Sequence, residues 1–138
     1  MTETRTHAAF NLDEIVKRLP ATVETMLVDT RLTDEQEARC RVFRIYRNVP
    51  PHYHATCDEY LLVLCGRGTI FIGDSQPFEV SAGQLVFFKK RMVHGLTILD
   101  EPFVFLSVDT ARRDPKDVIF LNPEEGTADT FINTRKLY

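Results

Sequence analysis

The hydrophobic pattern of this chain changes period at Pro20. Ahead of it, Leu12, Ile15, Val16 and Leu19 recur at i, i+3, i+4 and i+7, and this predicts a short amphipathic helix over residues 11–19. Asn11 can cap the start, Glu14 stands three residues on as a capping box, and Pro20 stops the helix. Beyond Pro20 the apolar positions fall in short strand-like runs. Thr22–Val28 is the first, and polar Arg31–Glu37 reads as a loop. Cys40–Arg47 alternates, with Phe43 and Ile45 on one face and Arg44 and Tyr46 on the other. Pro50 and Pro51 break the pattern, and Glu59–Cys65 is turned by Gly66-Arg67-Gly68. Thr69–Ile72 and Phe78–Val80 flank Gly73-Asp74-Ser75-Gln76 as a hairpin. Leu85–Phe88 follows a turn at Ser81–Gln84. His94–Leu99 and Phe103–Val108 flank Asp100-Glu101-Pro102, and Val118–Leu121 is the last candidate strand. The Pro/Glu/Gly/Thr-rich tail from Asn122 either docks or stays mobile. About nine short strands separated by turn residues predict an all-β sandwich or barrel.

Size and charge narrow the field. At 138 residues the chain is expected to be one domain spanning 1–138, its barrel running from about 22 to 122. A formal net charge of −3 offers no basic footprint for nucleic acid or an anionic membrane. No apolar run approaches the roughly 20 residues of a spanning helix. The polar segment from Met1 to His7 leads into no apolar signal core, so a cytoplasmic location is expected. Cys40, Cys57 and Cys65 are odd in number and lack C-x-x-C spacing, so they read as reduced core residues rather than disulfides or a zinc ribbon.

The chemistry lies in His52-Tyr53-His54, followed by Glu59 and Gly66, and in Gly83 followed by His94. Residues two apart on a strand point the same way, so His52 and His54 can both face an interior with Tyr53 facing out. Glu59 opens the next strand, and His94 must arrive from a strand adjacent in space. Three imidazoles and a carboxylate can fill four positions of a six-coordinate ion and leave about two open. Such a set suits Fe, Mn, Ni, Zn, Co or Cu and does not choose among them. His7, in the polar N-terminal segment, reads as an ordinary surface histidine.

The string His52-x-His54-x4-Glu59-x6-Gly66 resembles the first cupin motif in every position. Gly83 and His94 match the spacing of the second, but Lys89 and Arg91 stand in place of its proline and glycine, and Ile98 in place of its asparagine. The likeness covers about residues 40–108. It implies a conical antiparallel β-barrel, or jelly roll, of two sheets with His52, His54, Glu59 and His94 around one divalent transition metal ion. Sheet-edge homodimers are frequent in the family. The superfamily includes dioxygenases, isomerases, lyases, decarboxylases and binding proteins, so the fold leaves function open.

Two further groups bear on chemistry. Lys89-Lys90-Arg91 either attracts a carboxylate or phosphate at the barrel mouth or is a solvated basic turn, the plainer reading. Tyr46 is the favoured catalytic candidate among Tyr46, Tyr60, Phe88 and Phe105, because it shares a face with Arg44 just before the histidines and could donate a proton to an oxygenated substrate. The leading expectation is a metal-dependent enzyme, dioxygenase-type or isomerase/lyase-type, acting on a small polar metabolite, anionic if the basic turn attracts it. The alternative is a binding module that holds a small molecule without turnover.

Overall fold

The structure, a computed structural model, describes residues 6–138, so the first five residues of the polar N-terminal segment lie outside it. The described residues form nine strands and two short helices. In chain order these are α1 (Leu12–Lys17), β1 (Leu27–Asp34), β2 (Arg39–Ile45), β3 (Val49–Tyr53), β4 (Asp58–Ile72), β5 (Phe78–Ser81), β6 (Leu85–Phe88), β7 (His94–Thr110), β8 (Ile119–Phe120), α2 (Ala128–Phe131) and β9 (Ile132–Thr134). No helix among them is long and apolar enough to cross a membrane.

Two long strands, β4 and β7, organise the fold. They pair antiparallel from Asp58↔Thr110 to Ile72↔His94 and bend together halfway. The first half of β4 and the second half of β7 join β6, β2 and β1, with β9 added in parallel to β1. The other halves join β5, β3 and β8. The result is a jelly roll of two facing sheets that share their longest strands.

The bend explains why the motif glycines do not act as a turn. Gly66-Arg67-Gly68 and Asp100-Glu101-Pro102, expected to divide strands, instead lie inside continuous ones, and the β4–β7 register shifts at Val63, Cys65 and Arg67. Gly66 has φ +82, and a Cβ on it would stand 2.2 Å from the Pro102 carbonyl oxygen. A Cβ on Gly68 would lie 2.2 Å from the Phe103 ring. The glycines therefore let two backbones cross closely at a bulge.

Two further boundaries differ from the sequence pattern, and the tail takes one of its two expected courses. The polar stretch from Arg31 to Asp34 is strand, because Asp34 gathers Arg31, Arg39 and Arg112 as ion-pair partners. Pro50 and Pro51 lie within β3, a short strand that meets its neighbours β7 and β8 at only a few positions. The tail from Asn122 docks, with Phe131 buried and β9 laid along β1.

The core divides in two. The larger cluster fills the space between the sheets and includes Phe43, Ile45, Leu61, Val63, Phe103, Phe105 and Phe131. The smaller lies on the outer face, where Ile15 and Leu19 cover Val28, Val42 and Val104. Asn11 caps α1, its side-chain oxygen accepting from the Glu14 amide at 3.2 Å.

Candidate metal centre

Strand geometry brings the histidines together. His52 on β3 and His94 at the start of β7 are direct partners across the two strands, and His54 follows β3 by one residue. All three are at most 3% exposed. One nitrogen from each ring lies within 4.8 Å of the others.

Which nitrogen is available follows from the hydrogen bonds. His52 Nδ1 stands 2.8 Å from the Pro50 carbonyl oxygen, His54 Nδ1 2.7 Å from that of Asp117, and His94 Nδ1 3.0 Å from that of Met92. A carbonyl oxygen only accepts, so each Nδ1 carries the proton and each Nε2 keeps its lone pair. Backbone carbonyls holding the far side of each ring are the usual support of a metal-bound histidine. Burial, and then the neighbouring His94, push the pKa of His52 well below the ordinary histidine value. Burial and the Arg113 charge do the same to His54. Burial and the neighbouring His54 push His94 down to about 3. All three rings are therefore neutral near pH 7, the form that binds a cation.

Glu59, on β4, stands beside this group rather than within it. Its Oε1 lies 3.5 Å from His54 Nε2. Its Oε2 accepts from Arg41 Nη2 at 3.2 Å and from the Ser107 hydroxyl at 2.9 Å. One oxygen is anchored, and the other faces the histidines.

These four residues line a small pocket with Arg41, Leu27, Phe43, Val49, Leu61, Leu96 and Phe131. The free volume left among them is about 10 Å³, the space of one water molecule or ion. Phe131 closes it, its ring centroid 5.3 Å from that of His52 and 6.3 Å from that of His54. Phe88 packs on His94 at 4.1 Å, while Phe105 stacks on Phe43 in the core.

Tyr46 is not at this cavity, which corrects the expectation of a catalytic role. Phe43 and Ile45 face inward, so alternation sends Arg44 and Tyr46 to the outer face. There the Tyr46 hydroxyl donates to the Pro20 carbonyl at 2.6 Å, and the Arg44 guanidinium lies 4.5 Å over its ring. Tyr60 is exposed beside Phe87.

The basic turn has a local task. Lys89 Nζ pairs with Asp58 at 2.9 Å, and the Lys90 amide donates to the same carboxylate. Arg91 adopts φ +70 and its amide donates to the His54 carbonyl at 2.7 Å. The left-handed conformation that suits a glycine is thus kept with arginine in its place. All three residues are exposed.

Sequence reasoning passed over Phe131, Asp117 and a group of buried charges. Asp117 holds the segment after His54, accepting from the amides of Ala55 and Thr56 and from the Thr56 hydroxyl. Cys57, just beyond, is buried and reduced, and burial pushes its thiol pKa up.

Residues 47–109 match the cupin domain family. The chain contains a cupin domain. Solved structures agree on the cupin fold. A protein with a double-stranded β-helix domain from Klebsiella pneumoniae superposes with a TM-score of 0.61 at 18% identity, over 80% of this chain and 92% of its own. KdgF from a Halomonas species gives 0.61 at 18%, over 67% of this chain and 87% of its own. The DMSP lyase DddQ from Ruegeria pomeroyi gives 0.63 at 21%, over 79% of this chain and 58% of its own. No curated protein matches the sequence. Among the described residues, His52, His54 and His94 are a group able to hold a metal ion.

Proposed function

We propose that this cupin is a metal-dependent enzyme that acts on a small anionic metabolite, with one divalent transition metal held by His52, His54 and His94 and by Glu59 through Oε1. The observation that carries this reading is the shared pattern of three Nδ1–carbonyl contacts, which leaves three neutral Nε2 lone pairs close together in a buried cavity. Bound there, the ion would supply Lewis acidity or, as iron, a redox centre.

The chain's own residues set the conditions. Arg41 and Ser107 fix the orientation of Glu59. Phe131 and Phe88 exclude water around the histidines. Exposed Tyr60, Leu85 and Phe87 on β4 and β6 support self-association as a homodimer. A cytoplasmic setting agrees with three free cysteines.

A second reading, a binding module without turnover, uses the same buried and mainly apolar lining. Metal content by mass spectrometry, on untagged protein purified without chelator, tests the first claim. Near-stoichiometric metal that disappears in His52→Ala and His54→Ala supports it, and full occupancy in both variants rejects the ligand set. Oxygen uptake with small carboxylates and phenols then separates an oxygenase from an isomerase or lyase. Ligand capture with no product over long incubation selects the binding module.

A further inference from the structure

A line of buried charge runs from the histidine cavity toward β1. Arg41, 1% exposed, is its centre. Its Nη1 lies 3.4 Å from Asp29, its Nη2 3.2 Å from Glu59 and its Nε 3.5 Å from Asp109. Burial works against its charge, but Asp109, Asp29 and Glu59 together keep it protonated. Asp29 also accepts from the Thr134 hydroxyl at 2.6 Å. Arg41 thus has hydrogen-bonded carboxylates at Nη1 and Nη2, while its Nε and both Asp109 oxygens have no hydrogen-bond partner.

Arg113 has fewer partners than Arg41. It follows β7, is 1% exposed, and its ion-pair contact among the described residues is Nε to Asp109 Oδ2 at 3.8 Å. That exceeds hydrogen-bond distance. Its Nε and Nη1 are buried with no hydrogen-bond partner. A buried guanidinium with two nitrogens unpartnered is costly, and such groups are uncommon unless something else satisfies them. The guanidinium carbon lies 6.0 Å over the ring of Phe131, which lines the cavity, and its charge depresses the pKa of all three histidines.

The balance of charge points the same way. Arg41 and Arg113 face Asp29, Glu59 and Asp109, so the inner group carries one formal negative charge with all five ionised. A divalent ion on the histidines would turn this to one positive charge. A single monoanion would restore neutrality, whereas a dianion would overshoot it.

We propose that Arg113 is the anion-binding residue of this site and receives the carboxylate of a small monocarboxylate ligand between its guanidinium and the three histidines. The placement of the ligand's other end rests on the metal-centre reading; the carboxylate contact does not. With about 10 Å³ free, the acid is short, and Phe131 must shift to admit it.

The test titrates formate and acetate, with phosphate as control, into the protein as purified and after metal removal, with metal content measured on each sample. Wild type binds formate or acetate, and Arg113→Met weakens binding about thirtyfold or more with metal content unchanged. Arg113→Lys keeps the charge and part of the affinity. Thermal unfolding without added anion supplies an independent readout. If Arg113 awaits an anion, Arg113→Met is as stable as wild type or more so; if it serves only to neutralise Asp109, the variant is less stable. No binding of formate or acetate by wild type, equal binding by Arg113→Met, a preference for phosphate, or a destabilised Arg113→Met overturns the proposal. Formate binding that is lost in Arg113→Met in a protein that never takes up metal upholds Arg113 and rejects the metal centre.

Discussion

His52 and His94 face each other across β3 and β7, with ring centroids 4.2 Å apart. Neutral rings tolerate this closeness, and a cation between their Nε2 atoms would favour it. His94→Ala is therefore expected to lose metal as completely as His52→Ala. Metal-loaded wild type should gain about 3–4 kcal/mol over its metal-free form at free metal 100–1,000 times Kd. Chemical denaturation with and without metal checks this: the gain should vanish in both variants.

The same burial makes the metal-free protein acid-sensitive. Each histidine has a folded pKa below its ordinary value near 6.5, so below that pH the unfolded chain binds more protons. The stabilisation from neutral rings is complete above about pH 6.5 and is lost as pH falls. The slope is at most about 1.4 kcal/mol per pH unit for each ring. Asp109, raised to about 6 by burial, runs the other way between its ordinary 3.8 and 6 and offsets about one histidine. Metal-free protein should thus lose stability steadily from pH 6.5 to 4.5. A flat profile by urea denaturation would show that the rings titrate as in solvent.

The legible part of this molecule was the part written in strict alternation or fixed spacing. His52-x-His54 and the apolar run from Glu59 carry period two, and the structure places their inward residues as that period requires. The strand boundaries at Gly66 and Pro102 were misread because a bulge and a turn use the same residues. Arg39 and Arg41 share parity with inward Phe43 and Ile45, so their burial was written in β2. It passes unnoticed because a charged residue is ordinarily assigned to solvent, and the carboxylates come from β1, β4 and β7. Phe131 lies far along the chain from the histidines it covers, and no local pattern encodes that contact.

Phe131 is the expected gate. It is 4% exposed, and its removal should cost about 3 kcal/mol through lost burial and the cavity left behind. Phe131→Ala should also open a path to the histidines without touching a donor. Equilibrium metal content should then stay near the wild-type level, while a chelator strips the metal faster. Unchanged stripping kinetics would place the entry route elsewhere.

Arg91 offers a stability gain that leaves the site intact. Its φ of +70 is a conformation in which a non-glycine residue is strained by about 1–2 kcal/mol. The side chain is exposed, and the structural contact of this residue is its amide bond to the His54 carbonyl, which glycine keeps. Glycine also frees the unfolded chain, which takes back about 0.5–1 kcal/mol. Arg91→Gly should therefore stabilise the protein by about 0.5–1 kcal/mol, with metal content unchanged. Arg91→Val, β-branched at the same φ, should destabilise it. Denaturant midpoints of the three proteins decide the matter: if the valine variant equals wild type, the turn before His94 relaxes away from the left-handed conformation, and arginine is under no strain there.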